Sequence, residues 1–490
     1  MNLTLKEIIL STGGELIYGR PDTIVVSIST DTRTLQPGDL FVALKGPNFD
    51  GSQFTADAFE RGAIGALVSG LPEGLQISDG KCLVRVENTE KALGDIALLW
   101  RRKISADILV VMGSSGKTTT REMIFQSLAA AFQSPDRRLF ISTNGNLNNT
   151  IGVPLTLFQI EPDTQLIVTE IGMNSMGEIR RLTEITDPDI LVVTNIGRAH
   201  IGMFGSEEEL IRAKAEVFEK LRPECLLIVN ADCPCTPIFL SYARHPHHMV
   251  TFGINEGADM QARNISPISP QGYCFDLFVK GEKKARIRLP LFGRHNIYNA
   301  LAAAAAAYPR GADMQKVAQA LEGFTPPWMR STVYEMDGVR VISDCYNANP
   351  DSMELALHSL VDVRGEGGLY VLLGDMLELG ADGERFHREI GGVVAEIRPD
   401  LFITYGDLSH FMSDEAARRG VSTAHVNTHD DAARLLTERL HRGDTVLIKG
   451  SRLMKLETVT EELLKFFEKR HAVRLRRKGG MNDSTGFNAP

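Results

Sequence analysis

A glycine-rich loop between an apolar run and an amphipathic segment is the feature that most constrains how this chain folds. The run ILVVM at residues 108–112 is followed at once by GSSGKTTT at residues 113–120. Glycines let backbone N–H groups close around phosphate oxygens, and the N-terminus of a following helix adds a positive dipole. Lys117 would supply charge, and Thr118 would offer a hydroxyl to Mg²⁺. The pattern predicts a phosphate loop; Val111 stands where the full motif has its first glycine, and an ordinary strand-to-helix turn is the alternative.

The length of the chain predicts several domains, because single hydrophobic cores stop growing at about 250–300 residues and this chain has 490. Short β-like runs alternate with turn and helix patterns, which predicts open α/β sheets. The runs lie at residues 23–28, 40–44, 66–68, 83–86, 108–112, 166–171, 190–194, 339–343, 369–373, 401–405 and 445–448. We expect a small α/β N-terminal domain (1–104), a central phosphate-loop domain with a parallel sheet (105–325), a C-terminal Rossmann-like domain (326–473) and a disordered tail (474–490).

The composition argues against nucleic acid and membranes as partners. The 62 acidic and 53 basic residues give a net charge of −9, so there is no overall positive field to bind a phosphate backbone. Six scattered cysteines do not make a disulfide framework, which favours a reducing compartment. The first residues do not resemble a signal peptide, and the longest apolar run, residues 300–308, is too short to span a bilayer. We expect a cytoplasmic protein.

Two polar side chains follow apolar runs that we predict to be strands. Glu170 ends the run that starts at residue 166, and His200 follows the run at residues 190–194. In an open α/β sheet, ligands bind beyond the carboxyl ends of the strands, so both side chains should lie near the phosphate loop. Both are candidate Mg²⁺ ligands. A solvated glutamate and a capping histidine are the alternative.

Lys214 lies on the apolar side of a predicted helix at residues 207–221. The apolar stripe of this helix consists of Leu210, Ile211, Val217, Phe218 and Leu221, and Lys214 fills the gap between its two halves. Its stem could pack on the core while the ammonium reaches water. Alternatively, the amine is desolvated, has a lowered pKa and is open to chemical modification.

The sequence resembles the Mur ligase family over about residues 20–465. The matching stretches are DTR at 31–33, PGDLFVALKG at 37–46, FDG at 49–51, the phosphate loop, NLNN at 146–149, IGVPLT at 151–156, NIGRAH at 195–200, RAKAE at 212–216, GRHN at 293–296, NA at 299–300, DCYNANPDS at 344–352, LGDMLELG at 373–380 and KGSR at 449–452. Departures from the family pattern are Met112, Ser115, Arg198 and Met329, where Thr, Asn, Pro and Gly respectively are usual or common.

The resemblance implies an ATP-dependent ligase that forms an amide through an acyl phosphate. Its N-terminal domain would hold the UDP end of the substrate, its central domain ATP, and its C-terminal domain the incoming amine. The segment YNANP at residues 346–350 implies a UDP-linked muramoyl tripeptide as acceptor and D-alanyl-D-alanine as amine, in peptidoglycan precursor synthesis, by a monomer. Alternatives are a sister ligase for another amino acid, a folylpolyglutamate-type ligase, and a phosphate-loop NTPase that binds precursors and regulates.

The resemblance also implies roles for individual residues. It implies catalytic roles for Lys117, Glu170, His200 and Lys214. It implies Mg²⁺ ligands at Thr118, Glu170, His200 and Lys214, the last as a carbamate. It implies ATP contacts at Gly113, Ser114, Ser115, Gly116, Lys117, Thr118, Thr119, Asn296, Asn299, Arg330 and Asp344. It implies substrate contacts at Asp31, Thr32, Arg33, Lys45, Asn148, Asn149, Tyr346, Asn347, Asn349, Ser352, Lys449 and Ser451.

Overall fold

Three sheets with helices packed on them divide the chain into three α/β domains in sequence order, as predicted. The computed structural model describes residues 1–46, 49–132, 140–143, 145, 147–199, 201–268 and 272–479. Within these residues, no helix is long and apolar enough to cross a membrane. All six cysteines are free thiols.

The N-terminal domain contains a five-stranded sheet of order β2-β7-β6-β5-β4 and a separate antiparallel pair, β1 with β3. Only β2 runs antiparallel to its neighbour in the larger sheet. The elements are β1 (Leu3–Thr4), α1 (Leu5–Thr12), β2 (Glu15–Tyr18), β3 (Ile24–Val25), β4 (Ile28–Ser29), β5 (Leu40–Val42), α2 (Thr55–Glu60), β6 (Gly65–Val68), β7 (Cys82–Arg85) and α3 (Thr89–Arg101).

The central domain contains a nine-stranded sheet of order β16-β15-β14-β13-β12-β11-β8-β10-β9. Its elements are β8 (Asp107–Met112), α4 (Lys117–Ala131), β9 (Phe140–Ser142), α5 (Gly152–Leu157), β10 (Leu166–Glu170), α6 (Glu178–Thr186), β11 (Ile190–Val193), α7 (Glu207–Ala215), β12 (Leu226–Asn230), α8 (Thr236–Ser241), β13 (Met249–Gly253), β14 (Met260–Pro267), β15 (Tyr273–Val279), β16 (Glu282–Leu289), α9 (His295–Ala307) and α10 (Met314–Glu322). Strand β8 lies between β10 and β11 and is parallel to both, so the ends of all three strands meet at one edge.

The C-terminal domain contains a six-stranded sheet of order β17-β18-β22-β19-β20-β21, in which only β17 is antiparallel to its neighbour. Its elements are β17 (Thr332–Met336), β18 (Val339–Asp344), α11 (Pro350–Val363), β19 (Leu369–Gly374), α12 (Gly383–Ile397), β20 (Leu401–Tyr405), α13 (His410–Arg418), β21 (Thr423–Val426), α14 (His429–Arg439), β22 (Thr445–Lys449) and α15 (Glu457–Gly479). Short 3₁₀ helices occur at Gly51–Phe54, Ile201–Met203, Glu216–Glu219, Tyr308–Arg310, Gly380–Asp382 and Arg452–Met454.

The strands form where continuous apolar runs can be buried on both faces of a sheet. Every residue of β10 and β11 is buried, as expected for parallel strands covered by helices on two sides. The alanine-rich α9 is buried along most of its length and packs on α4. Small side chains allow this close approach, which fixes the start of α4 against the start of α9.

Several local predictions were wrong in detail. The run at residues 23–28 is two short strands in different sheets, because β3 pairs with β1 and β4 pairs with β5. The helix predicted at 207–221 ends at Ala215 and continues as a 3₁₀ turn, a common tightening at helix ends. The central sheet is not wholly parallel, since β15 and β16 form an antiparallel edge. Helix α15 reaches Gly479 and so includes the start of the predicted tail.

Candidate active site

Two glycines shape the loop between β8 and α4, and neither position can hold a side chain. Gly113 has φ 144°, and a Cβ there would lie 2.0 Å from the Thr194 Oγ1. Gly116 has φ 81°, and its Cβ would lie 2.5 Å from the Asn299 Oδ1. The loop therefore turns tightly between β11 and α9, which is the close packing that a phosphate loop needs.

The loop that follows β11 holds the phosphate loop in place. The Asn195 Oδ1 accepts hydrogen bonds from the backbone N–H groups of Ser114 (3.1 Å) and Ser115 (2.9 Å). The Ser114 Oγ donates to the carbonyl oxygen of Gly197 (2.8 Å) and accepts from the Gly197 N–H (2.7 Å). Four hydrogen bonds thus join the segment from Asn195 to Gly197 to the phosphate loop.

Lys117 begins α4 and turns back over the loop. Its Nζ donates to the carbonyl oxygen of Gly113 at 2.9 Å. Burial lowers the pKa of Lys117; Glu170 opposes this effect and the Arg330 guanidinium adds to it. The next residue, Thr118, accepts a hydrogen bond at its Oγ1 from the Arg330 Nη2 (3.0 Å). Arg330 comes from the C-terminal domain, so two domains meet at the start of α4.

A chain of buried amides joins α4 to α9. The Thr120 Oγ1 donates to the Asn299 Oδ1 (3.1 Å), the Asn299 Nδ2 donates to the Asn296 Oδ1 (2.9 Å), and the Asn296 Nδ2 donates to the carbonyl oxygen of Phe292 (2.7 Å). Both asparagines are buried and have a structural role in this chain, and their contact with nucleotide stays a prediction. Of the two, Asn299 reaches the cavity surface.

Glu170 is a buried carboxylate, and only one of its two oxygens accepts a hydrogen bond from the described residues. The side chain is 1 % exposed, and its Oε1 accepts a hydrogen bond from the Asn148 Nδ2 (2.9 Å). Its Oε2 has no hydrogen-bond partner within the described ranges, and the Arg121 Nη1 lies 3.7 Å away. A hard cation fits a desolvated oxygen of this kind. His200, the other predicted strand-end ligand, lies outside the described residues.

Lys214 is buried rather than extended to solvent. The residue is 4 % exposed, and burial lowers its pKa from the usual 10.5 to about 7; Lys117 adds to the lowering, and Asp351 opposes it. Of the two interpretations of this lysine, the structure favours the desolvated amine.

Side chains from the C-terminal domain form the opposite wall. The buried Lys449 donates from Nζ to the Asp344 Oδ2 (2.6 Å) and to the carbonyl oxygen of Asn347 (3.1 Å). Burial alone would raise the pKa of Asp344, but Lys449 outweighs it and the pKa is lowered. The Arg330 guanidinium lies 3.9 Å from the centre of the Tyr346 ring, in cation–π range.

The segment that leads into α11 is fixed by its own capping bonds. Asn349 is the N-cap of α11, and its Oδ1 accepts from the Ser352 N–H (2.9 Å). The Asn349 Nδ2 donates to the Ser115 Oγ (3.2 Å), a direct contact between the C-terminal domain and the phosphate loop. The Ser451 Oγ accepts from the Leu377 N–H (2.9 Å) and stabilises the neighbouring loop.

A cavity of about 600 Å³ lies between the central and C-terminal domains. The predicted residues that line it are Ser114, Ser115, Gly116, Lys117, Thr118, Thr119, Asn148, Glu170, Asn299, Arg330, Asp344, Tyr346, Asn347, Asn349, Ser352 and Lys449. The structure thus brings together the phosphate loop, a buried carboxylate and the C-terminal motifs. This arrangement can bind a polyphosphate beside a second substrate.

Other predicted residues do not line this cavity. They are Asp31, Thr32, Arg33, Lys45, Gly113, Asn149, Lys214, Asn296 and Ser451. In the N-terminal domain, Arg33 pairs with Asp31 (2.6 Å) and lowers the Asp31 pKa to about 2. Lys45 pairs with Asp50 (3.2 Å). The exposed Asn149 accepts at Oδ1 from the Gly152 N–H (2.8 Å) and so holds the start of α5.

Sequence reasoning did not assign several of the polar residues that line the cavity, among them Asn195, Asp232, His295, Tyr298 and Asp351. The Nδ1 of His295 is buried without a hydrogen-bond partner in the described part of the chain. Burial lowers the His295 pKa to about 4, so this imidazole is neutral at pH 7. Three of them, Asn195, His295 and Asp351, could have been assigned from the sequence, because they lie inside the stretches that match the family.

The donor set for a divalent cation is incomplete without His200. Among the described residues, no group of three or more His, Cys, Asp or Glu side chains could hold a metal ion. Thr118 and Glu170 nevertheless face the same cavity, and hydroxyl and carboxylate oxygens are the ligands that Mg²⁺ prefers. The side chains present therefore fit Mg²⁺ better than a softer metal.

Three protein-family models match the chain, one in each domain. The model described as Mur ligase family, catalytic domain, matches residues 25–101, Mur ligase middle domain matches residues 111–307, and Mur ligase, glutamate ligase domain, matches residues 329–452. The three matches follow one another in the same order as the three sheets.

Curated relatives match most of the chain. The chain is 34% identical over 449 residues to a Bacillus subtilis protein, with 90% of this chain and 94% of that protein covered. It is 33% identical over 467 residues to an Escherichia coli protein, with 94% and 98% covered. Both are named UDP-N-acetylmuramoyl-tripeptide–D-alanyl-D-alanine ligase.

A solved structure has the same arrangement of domains. A crystal structure of MurF from Acinetobacter baumannii matches with a TM-score of 0.84 at 30% identity, over 95% of this chain and 99% of that one. A MurF ligase from Thermotoga maritima, solved in complex with ADP, matches with a TM-score of 0.79 at 24% identity and supports the fold alone.

Proposed function

The chain belongs to the Mur ligase family, and we propose that it joins D-alanyl-D-alanine to a UDP-linked muramoyl tripeptide while ATP is converted to ADP and phosphate. The cavity between the phosphate loop and the segment at residues 346–352 carries this proposal, because it places a phosphate-binding surface opposite a second polar wall. The relatives from Bacillus subtilis and Escherichia coli are named for this reaction.

The first step activates the carboxylate of the tripeptide. A carboxylate oxygen attacks the γ-phosphorus of ATP, ADP leaves, and an acyl phosphate forms. Negative charge spreads over the transferring phosphoryl group, and donors already in position stabilise it. Lys117 and the N–H groups at the start of α4 supply these donors. Arg330, which already contacts Thr118, adds a second positive charge from the C-terminal domain.

The second step forms the amide. The amine of D-alanyl-D-alanine attacks the acyl carbon, phosphate leaves, and the nitrogen gives up a proton. The C-terminal wall, with Tyr346, Asn347, Asn349, Ser352 and Lys449, is where we place the dipeptide. Exclusion of water from the cavity by the two bound substrates would keep the acyl phosphate from being hydrolysed before the amine reacts.

Mg²⁺ would be held by Thr118 and Glu170, with His200 and a carbamate on Lys214 as further ligands. When bound, it would neutralise charge on the phosphate oxygens. The buried Glu170 Oε2, which accepts no hydrogen bond from the described residues, supports this assignment. A lowered Lys214 pKa of about 7 keeps part of the amine neutral, and only a neutral amine adds to CO₂.

The N-terminal domain would hold the UDP end through Asp31, Thr32, Arg33 and Lys45. These residues lie away from the cavity, which suits a long substrate whose nucleotide and reacting carboxylate are at opposite ends. We further propose a cytoplasmic monomer, since the six free thiols suit a reducing compartment.

A panel assay tests the proposal. ADP release should require both the UDP-linked tripeptide and D-alanyl-D-alanine. A sister ligase would instead respond to single amino acids, and a folylpolyglutamate-type ligase to a folate acceptor with glutamate. ADP release without any amine would indicate the regulatory NTPase and would contradict ligation.

A further inference from the structure

Arg198 connects the central domain to the C-terminal domain through a paired contact. Its backbone N–H donates to the Asp351 Oδ2 (2.7 Å), and its side-chain Nε donates to the Asp351 Oδ1 (2.7 Å). Glu389 lies 3.3 Å from the Arg198 Nη1, and Glu354 lies 3.6 Å from the Nη2. One guanidinium of the central domain therefore faces three carboxylates of the C-terminal domain.

The segment that carries Arg198 also carries the contacts to the phosphate loop. Asn195 accepts from the Ser114 and Ser115 N–H groups, and Gly197 exchanges two hydrogen bonds with Ser114. Gly197 is the residue directly before Arg198, and Asn195 is three residues before it. Any shift of the C-terminal domain that moves Asp351 thus acts on the backbone beside the phosphate loop.

A second contact beyond Arg198 keeps the same two surfaces together. The Gly202 N–H donates to the carbonyl oxygen of Glu378 (3.1 Å). A Cβ on Gly202 would lie 2.2 Å from the Gly380 N, so the two backbones touch. The contact at Arg198 is the charged part of this interface, and it lies next to the cavity, which both Arg198 and Asp351 line.

We infer that Arg198 is a positioning residue that holds the C-terminal domain docked over the phosphate loop, so that the segment at residues 346–352 lines the cavity. This inference rests on the proposed function only for its kinetic consequence. Paired donors to one carboxylate fix orientation as well as distance. Without Arg198, the three carboxylates on α11 and α12 would lose the central-domain guanidinium that they now face.

Arg385 provides a matched control. It shares Glu389 with Arg198 (3.0 Å), and its guanidinium also lies over the Phe386 ring (4.2 Å). The Arg198 guanidinium lies over the same ring at 5.5 Å. Both of these Arg385 partners belong to the C-terminal domain, so Arg385→Ala removes a similar charge from the same surface without removing a contact between domains.

The test compares Arg198→Ala, Arg198→Lys and Arg385→Ala by small-angle X-ray scattering and by steady-state kinetics. Arg198→Ala should give a larger radius of gyration and raise the KM for the dipeptide about tenfold. The radius of gyration and the KM of Arg198→Lys should lie between those of wild type and Arg198→Ala, since lysine keeps the charge and loses the paired geometry. Arg385→Ala should match wild type.

The double variant Arg198→Ala/Asp351→Asn separates this role from a general loss of stability. Its KM should equal that of Arg198→Ala, because the two changes remove the same contact between Arg198 and Asp351. A higher KM in the double variant than in Arg198→Ala would overturn the inference. So would an Arg198→Ala protein with wild-type scattering and KM. Scattering needs no substrate, so the radius of gyration could still be interpreted if the proposed reaction were not found.

Discussion

The Lys449 Nζ lies 2.6 Å from the Asp344 Oδ2, and the two residues end neighbouring parallel strands, β22 and β18. Their side chains are 3 % and 15 % exposed respectively. This ion pair joins the ends of two strands directly below the C-terminal wall of the cavity. Since the Asp344 pKa is lowered, the carboxylate is charged at pH 7 and depends on its partner.

Lys449→Ala should destabilise the C-terminal domain by about 3–5 kcal/mol, because removal of one member leaves a buried charge without its partner. Urea unfolding followed by circular dichroism measures this loss. Lys465→Ala is the matched control, since its pair with Glu462 (2.9 Å) is on the surface. A loss no larger than that of the control would show that Asp344 is adequately solvated without Lys449.

Lys117→Ala should lower kcat by at least about a hundredfold, the usual effect of removing one preorganised charge from a reacting group. The fold should stay intact, because among the described residues the Nζ donates one hydrogen bond, to the carbonyl oxygen of Gly113. Lys283→Ala, which removes a surface lysine that pairs with Asp276 (2.8 Å), is the control. Near-normal turnover with Lys117→Ala would refute the assignment of the phosphate site.

His295→Gln should make stability less sensitive to acid. The folded pKa of His295 is about 4, below the usual 6.5, so between these values the unfolded chain binds a proton that the folded chain does not. The free energy of unfolding therefore falls as the pH falls from 6.5 towards 4. At pH 5 this amounts to about 2 kcal/mol.

Urea midpoints at pH 7.5 and pH 5 measure the effect. The difference between the two pH values should be smaller in His295→Gln than in wild type. His358→Gln changes a half-exposed histidine on α11 and should leave the difference as it is in wild type. An identical acid dependence in all three proteins would contradict a neutral, buried His295.

Lys214→Ala should be nearly inactive, and added short-chain carboxylic acids should partly restore it. The proposed carbamate places an anion beside Mg²⁺, and a small carboxylate can replace it, whereas Lys214→Arg keeps the wrong sign of charge and should not recover. Turnover is measured with and without the acids, and Lys220→Ala, which loses only a pair with Glu184 (3.1 Å), is the control. A fully active Lys214→Ala would exclude the carbamate.

Much of the site follows from sequence because strand ends are predictable. The apolar runs before Gly113, Glu170 and Asn195 are buried strands, and parallel pairing places their ends together. The motif at residues 344–352 and Lys449 were proposed from the family resemblance alone, and in the structure Asp344 and Lys449 end neighbouring parallel strands. The position of Lys214 on an apolar stripe likewise predicted a buried side chain, one of the two interpretations considered.

Contacts between domains could not be predicted in this way. The pairing of Arg198 with Asp351 depends on how two sheets are oriented, and no periodicity in either segment encodes that orientation. The same holds for Arg330 and Thr118. Local capping also went unrecognised, since the roles of Asn149 and Asn349 at helix starts depend on backbone geometry as much as on residue type.

Isotope transfer tests ligation through an acyl phosphate most directly. The UDP-linked tripeptide is prepared with ¹⁸O in both oxygens of its reacting carboxylate and incubated with ATP and D-alanyl-D-alanine. The account predicts that each turnover leaves one ¹⁸O in the new amide and moves the other into the released phosphate, as mass spectrometry would show. Unlabelled phosphate, with the tripeptide carboxylate unchanged, would contradict it.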